Sequence, residues 1–529
     1  MTEELLYLKQ NVLVEPLFDS WYAWSHLISP ATAALNIYGR HLKIMDSYIM
    51  APDIHKAAVA NPKMIGGPFM DYPDNQKDAI TGLKLHTLKQ YKHLVQFAND
   101  VHALSSLLEE ESDGTSLDGL YARIPDTLRG FVELTYDVRH HPSFRFFESI
   151  LYNSKYYQQD AQSIRLSLIT SDYRPFVLST PRLKEENTVS LSIPFSHGGI
   201  DKLAAMKRVK GSYQEIKEEL GVLPEDEQTF RTFFTSEPTE NHVKFDAEGV
   251  RVRYFGHACI LVETRGIAVL SDPVISYGYD TDLSRYTYKD LPEIIDYVII
   301  THNHQDHILL ETMLQIRHKV KTIVIPRGGN GALPDPNLKL MFKAIGFNNV
   351  IELDEMDELK EGHLSIMGLP FLGEHCDLNI MTKVCYLLKL PGVSMIFAAD
   401  SCNVSPDLYR HIRAVTGDID ILFLGMECDG APLSWLYGPY IMAKITKDID
   451  MSRRLAGSNY QRGIEFVNTF NPKNVFVYAM GQEPWLNHIM AVKYTDESNP
   501  IIASNQLLKE CRTRGIESER FYGEKNLLY

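Results

Sequence analysis

The chain of 529 residues carries 53 Lys and Arg against 68 Asp and Glu, a formal net charge of -15. That balance argues against a general nucleic-acid binder, because neutralising phosphates needs an excess of cations. A hydrophobic content of 44% with 23% charged residues is that of a soluble globular protein, and the length allows roughly two to four domains. The start, MTEELLYLKQNVLVEPL, lacks an uninterrupted apolar segment followed by a small-residue cleavage site. No stretch approaches the run of about 20 apolar residues that spans a bilayer. Six cysteines without a CxxC pair read as reduced core thiols. A cytoplasmic protein with neither a membrane nor a nucleic-acid partner is expected.

From Met1 to about Asn241 the pattern is mainly helical, as in Lys84 to Leu108, where apolar positions recur at helical spacing. Short strands are predicted at Ser163–Ile169 and Val189–Phe195, and the basic run Lys202–Lys210 is a candidate docking surface, as is Arg453-Arg454. The polar, Pro-containing run Thr235–His242 predicts a linker, which divides the chain into 1–241 and 242–529. Beyond it the texture changes to short apolar or β-branched segments: Val250–Tyr254, Cys259–Glu263, Ile267–Ser271, Tyr297–Thr301, Thr322–Ile325, Val350–Leu353, Leu364–Met367, Val384–Leu388, Met395–Ala398, Ile421–Leu424 and Val475–Tyr478. Helical stretches alternate with them, among them Leu309–Val320, Leu338–Ile345 and Arg462–Phe470. Paired strands with helices on their outer faces predict a layered α/β sandwich with its ligands on loops at one edge of the sheets.

The run Thr301-His302-Asn303-His304-Gln305-Asp306-His307 directly follows the apolar segment Tyr297-Val298-Ile299-Ile300. Residues two apart at a strand end project to one side, so His302 and His304 can grip one ion, leaving Asp306 and His307 for a neighbouring one. A lone histidine is usually an ordinary surface or core residue. The complete His-x-His-x-Asp-His pattern after a β-branched run is far rarer and predicts a metal site.

With its companions, this run makes the second half of the chain resemble a metallo-β-lactamase-fold domain. Gly256-His257-Ala258-Cys259 opens a hairpin, Asp272 ends a strand, and Gly373-Glu374-His375 and Phe397-Ala398-Ala399-Asp400 each follow an apolar strand. The resemblance implies that Asp400 bridges two metals and that Asp272 orients the metal loop without binding. His257 reads as a loop-packing residue. Hydrolases of this fold supply a histidine as third ligand of the first site, which His375 would satisfy, whereas Glu374 offers a carboxylate. Neighbours in a strand point to opposite faces, so both are not expected to bind one ion. The spacing leaves the choice open.

The whole chain, including Val14-Glu15-Pro16-Leu17 and Trp21-Tyr22-Ala23-Trp24, resembles the chloramphenicol-pathway type of di-iron β-hydroxylase, two-domain oxygenases acting on aminoacyl groups held on nonribosomal peptide synthetases. That resemblance implies a mainly helical α+β N-terminal domain, involved in a substrate channel or dimer interface, followed by an αββα sandwich. It implies a first iron on His302, His304 and Glu374, a second on Asp306 and His307, and Asp400 between them. A last histidine is expected after the final strand, and His488 is the candidate. The donor set contains no thiolate, and its three carboxylates make the cluster hard and negative, which favours ferric iron and O2 reduction by a ferrous pair. The expected activity is β-hydroxylation of a carrier-bound amino acid in antibiotic biosynthesis, with O2, two iron ions and an external electron-transfer protein, by a homodimer. The alternative is a di-zinc hydrolase acting on a thioester, lactone or phosphodiester, with His375 as ligand.

Overall fold

The computed structural model describes residues 4–240, 242 and 244–529. The second half is built on two seven-stranded sheets. The first runs, in spatial order, Val350–Leu353, Val320–Pro326, Ile295–Ile299, Ile267–Ser271, Cys259–Thr264, Arg251–Gly256, Lys525–Leu528. The second runs Glu358–Glu361, Leu364–Leu369, Cys385–Leu390, Val393–Phe397, Ile421–Gly425, Asn474–Tyr478, Glu517–Arg520.

Alternation along these strands decides which core each side chain enters. Val252, Ile260, Val269, Ile299 and Val324 of the first sheet meet Ile366, Leu388, Phe397, Phe423 and Phe476 of the second in the layer between the sheets. The residues one step on, Leu387, Ile396, Leu422 and Val475, face the helices Pro406–Thr416, Tyr460–Phe470 and Asn499–Thr513 on the outside of the second sheet. The outward residues of the first sheet, Leu261, Leu270, Val298 and Ile323, share one core with Met313 and Leu314 of helix Leu310–Ile316 and with the N-terminal half. The two halves are therefore not separated by a polar boundary. The first half packs over helices Leu310–Ile316 and Leu338–Ala344, which cover the first sheet.

That first half contains a four-stranded sheet, Trp21–Tyr22, Val12–Phe18, Gln162–Leu168 and Val189–Leu191, with helices Lys77–Gln90 and Lys92–Glu111 nearby. Strand Val12–Phe18 is buried along its whole length although it contains Glu15 and Pro16. Glu15 is tolerated because Arg165 (2.8 Å), Arg174 (2.9 Å) and Arg182 (3.0 Å) surround its carboxylate. Burial pushes the Glu15 carboxyl up, but the three guanidiniums outweigh it and hold the group well below its ordinary range. Arg174 also binds Glu311 of the second half (2.6 Å), and the Tyr22 hydroxyl donates to the same carboxylate (2.8 Å). The halves are thus locked by a charged cluster as well as by apolar packing.

One expectation needs correction. The run Lys202–Lys210 is not one exposed basic surface, because Lys207 is buried, donates to Gln315 Oε1 (2.8 Å) and lies over the rings of Tyr277 and Tyr288. Lys202 is occupied by Glu219. Within the proposed linker Thr235–His242, Asn241 lies outside the described residues, while Phe234–Thr235 forms a short strand against Leu5–Leu8. All six cysteines are free, and among the described residues no helix is long and apolar enough to cross a membrane.

Candidate metal centre

The strand ends Ser271, Ile299, Phe397, Gly425 and Tyr478 open onto one edge of the sandwich. At that edge the backbone turns sharply through residues with left-handed φ: His257 (50°), Asp272 (34°), Glu374 (64°), Ala399 (44°) and Ala479 (52°). Such non-glycine conformations persist only where the surroundings over-determine them. Here they aim side chains into a common space.

Asp272 organises the His-x-His-x-Asp-His loop. Its Oδ1 accepts from the Thr301 backbone N–H (2.8 Å), and its Oδ2 accepts from the Thr301 hydroxyl (2.7 Å) and from His307 Nδ1 (2.8 Å). The Thr301 hydroxyl, having donated to Asp272, accepts from His302 Nδ1 (3.0 Å). His304 Nε2 donates to the phenol oxygen of Tyr437 (3.0 Å). Assigned from these partners, each histidine bears its proton on the outer nitrogen, leaving a lone pair on His302 Nε2, His304 Nδ1 and His307 Nε2.

Those lone pairs converge. In this tautomer assignment His302 Nε2 and His304 Nδ1 stand 3.1 Å apart with no proton between them, and Glu374 Oε1, 2.9 Å from His304 Nδ1, favours positive charge there. Bare lone pairs at this distance repel, so the arrangement fits a cation in the gap. His307 Nε2 lies 3.1 Å from Asp400 Oδ2 and 3.5 Å from Asp306 Oδ2. Asp400 Oδ2 is also 3.9 Å from His302 Nε2, which puts this oxygen between the two groups, while Asp400 Oδ1 is buried without a hydrogen-bond partner. Burial lowers the proton affinity of His307, but Asp400, Asp306 and Asp272 outweigh it and raise its pKa well above the ordinary value, so Nε2 offers its lone pair to a metal by giving up a proton. The pocket is a trap for positive charge.

The structure brings both Glu374 and His375 to the first group, within one set that also contains His302 and His304. The expectation that adjacent residues diverge fails because neither lies on a strand. Gly373, Glu374 and Cys376 all have left-handed φ (76°, 64° and 55°), so side-chain alternation is lost. His375 Nδ1 faces two acceptors, the Gly373 carbonyl (3.3 Å) and Glu374 Oε2 (3.0 Å), and so carries the proton and steadies the carboxylate.

His257 is more than a loop-packing residue. Its Nδ1 accepts the Gly481 N–H (3.1 Å), which leaves the proton on Nε2, 3.0 Å from Asp306 Oδ2. Burial pushes the Asp306 carboxyl up, but His307 and His257 more than offset it, and the group is held well below its usual range. His488 does not join these residues. It lies on the short helix Asn487–Met490, edge-on to Tyr22 with ring centroids 6.1 Å apart, and burial with Arg174 and Arg182 holds its ring well below the ordinary pKa. Tyr437 is the contributor no sequence signal identified.

The first half reaches this centre. The Ser25 hydroxyl donates to Asn303 Oδ1 inside the metal loop (2.5 Å). A cavity of about 1050 Å³ leads from Lys43 and Lys63 of the first half to His304, Glu374 and Asp400.

A two-sheet αββα sandwich bearing this loop at one edge defines a metallo-β-lactamase-fold protein. Comparison with known families agrees: residues 251–450 match the beta-lactamase superfamily domain, and residues 7–238 match the diiron non-heme beta-hydroxylase N-terminal domain. The chain is 36% identical over 98% of its length, and 99% of the relative's, to the 4-amino-L-phenylalanyl-[CmlP-peptidyl-carrier-protein] 3-hydroxylase of Streptomyces venezuelae. Its structure is similar to the crystal structure of CmlA, a diiron beta-hydroxylase from the same organism, with a TM-score of 0.93, 35% identity and all of both chains covered. A UPF0173 protein from Pyrococcus abyssi is 28% identical over 24% of this chain and 50% of its own length. The chain belongs to the di-iron non-haem β-hydroxylase family.

Proposed function

We propose that the protein is an O2-dependent di-iron monooxygenase that β-hydroxylates an amino acid held as a thioester on a carrier domain of a nonribosomal peptide synthetase. The observation that carries this reading is the Glu374 carboxylate against His304 Nδ1, completing a nitrogen-rich group within a two-domain chain of the β-hydroxylase family. In this reading His302, His304 and Glu374 would hold one iron and Asp306 and His307 the other, with Asp400 available to both; His488 has no part. The division of labour falls near 241/242, with the first half as channel wall and the second as metal scaffold.

The bound irons would supply activation of O2, with two electrons from a separate electron-transfer protein. What the chain supplies is position. Asp272, Thr301 and Tyr437 fix three imidazoles in the tautomers that bind metal, and His257 fixes Asp306. The cavity, lined by both halves and reaching Glu374 and Asp400, would take the acyl-pantetheine arm, so that one carbon is held near the reacting centre. A homodimer is part of the same reading.

Metal analysis of the purified chain should give two irons with a visible charge-transfer absorption, and aminoacyl carriers incubated with enzyme, reductant and O2 should gain one oxygen by mass. Zinc alone after metal-balanced expression, with thioester cleavage in place of oxygen gain, would overturn the proposal in favour of a hydrolase.

A further inference from the structure

We propose that Glu427 is the positioning residue for the α-ammonium of the substrate, which makes the enzyme selective for acyl groups with a free amine next to the thioester carbonyl. The inference rests on the aminoacyl-hydroxylase reading and deepens it.

Glu427 lies two residues beyond strand Ile421–Gly425, whose last residue abuts the metal centre: a Cβ at Gly425 would come within 2.6 Å of Asp400 Oδ1. The side chain lines the same cavity as Asp306, Glu374 and Asp400. Its placement is fixed, since Oε2 accepts the Gly430 N–H (2.7 Å) and its backbone carbonyl accepts the Gly457 N–H (2.7 Å). The Tyr494 phenol is the other neighbour of this carboxylate; it is neutral, so the carboxylate has hydrogen-bond donors around it but no compensating cation.

Every other carboxylate at the inner end of the cavity has an imidazole beside it: Asp306 has His257 and His307, Glu374 has His304 and His375, and Asp400 has His307. Glu427 has no ion-pair partner among the described residues. Arg454 lines the cavity too, but its guanidinium donates to the carbonyls of Asp429 and Gly430. Burial, with Asp429 and Asp400 nearby, pushes the Glu427 carboxyl up to about 7. A half-buried carboxylate of this kind gains from an incoming cation.

The substrate offers one. Thioester formation consumes the amino acid's carboxylate, so near the reacting carbon the α-ammonium is the charge that remains. It is bonded to the carbon adjacent to the one hydroxylated, so anchoring it at Glu427 limits how far the β-carbon can move from the metal centre.

The test uses the full-length iron-loaded enzyme and two carriers, one loaded with 4-aminophenylalanine and one with 3-(4-aminophenyl)propionate, which lacks only the α-amine. Binding is read by fluorescence anisotropy and product by mass. Wild type should bind the amine-bearing carrier about ten- to a hundredfold more tightly, the range expected for a charge-assisted hydrogen bond. Glu427→Gln keeps an acceptor for Gly430. It should erase that preference by weakening only the amine-bearing carrier, raising its KM, while iron content and circular dichroism stay unchanged. Equal wild-type affinity for the two carriers, binding of neither, or a variant that weakens both alike would overturn the assignment. Mass decides the underlying reading separately: an amine preference with thioester cleavage and no oxygen gain would sink the hydroxylase reading and leave the ammonium site standing.

Discussion

His257 provides a test that separates a metal ligand from a residue that orients one. In His257→Asn the amide oxygen can stand in for Nδ1 toward the Gly481 N–H, and asparagine tolerates the left-handed backbone at this position (φ 50°). The shorter side chain cannot reach Asp306, so the 3.0 Å hydrogen bond that aims that carboxylate is lost. Removing such an outer partner typically costs about 10- to 100-fold in metal affinity, or about 1.4 to 2.8 kcal/mol. Apo-enzyme titrated with Mn2+ or Co2+ against a competing chelator should still take up two ions per chain at saturation, the second with affinity weakened by that factor. A fall to one ion at saturation would identify His257 as a direct ligand, and an unchanged second affinity would show the hydrogen bond to be idle. Either result refutes the tautomer argument.

Four further substitutions probe the reasoning. Glu374→Ala should abolish loading of the first metal, whereas His375→Ala should retain two metals per chain with affinity reduced about tenfold; the reverse pattern in metal analysis would reassign the ligand. Gly425→Ala places a methyl 2.6 Å from Asp400 Oδ1 and from the Ala399 carbonyl, and should disrupt the metal pair with at most a modest loss of fold stability, seen as lost visible absorption with near-normal circular dichroism. Glu15→Gln leaves three guanidiniums around a neutral group and should destabilise the fold by about 3–5 kcal/mol in denaturant melts at pH 7. Because the folded-state pKa of Glu15 is depressed, its contribution is full above the ordinary value of 4.5 and is lost as pH falls through the lower folded value. The variant should therefore approach wild type in strong acid, and a gap that widens there would contradict the assignment.

Much of the second half was legible because its strands obey a two-residue period with both faces buried. Ile267–Ser271 and Val350–Leu353 coincide with their predicted bounds, and the other predicted strands there overlap theirs. The pairing of His302 with His304, and of Asp306 with His307, follows from spacing alone. What spacing could not carry was everything held by a distant residue. Val12–Phe18 does not read as a strand because Glu15 interrupts its apolar run, and the arginines that neutralise it lie 150 or more positions away. Glu374 and His375 were treated as strand neighbours, although a run of left-handed residues brings them together. His488 was the only histidine after the last predicted strand, yet the ring beside Asp306 comes from His257, far earlier in the chain, and Tyr437 reaches His304 from a short helix with no motif.

The shared core between the first half and the outer face of the first sheet has a practical corollary. A fragment cut at the 241/242 boundary would uncover the faces of helices Leu310–Ile316 and Leu338–Ala344 that pack on the first half and leave Glu311 without Arg174. A contiguous greasy face of this kind drives self-association. The metallohydrolase-like portion alone should therefore be recovered as aggregates, not as a soluble enzyme with altered selectivity.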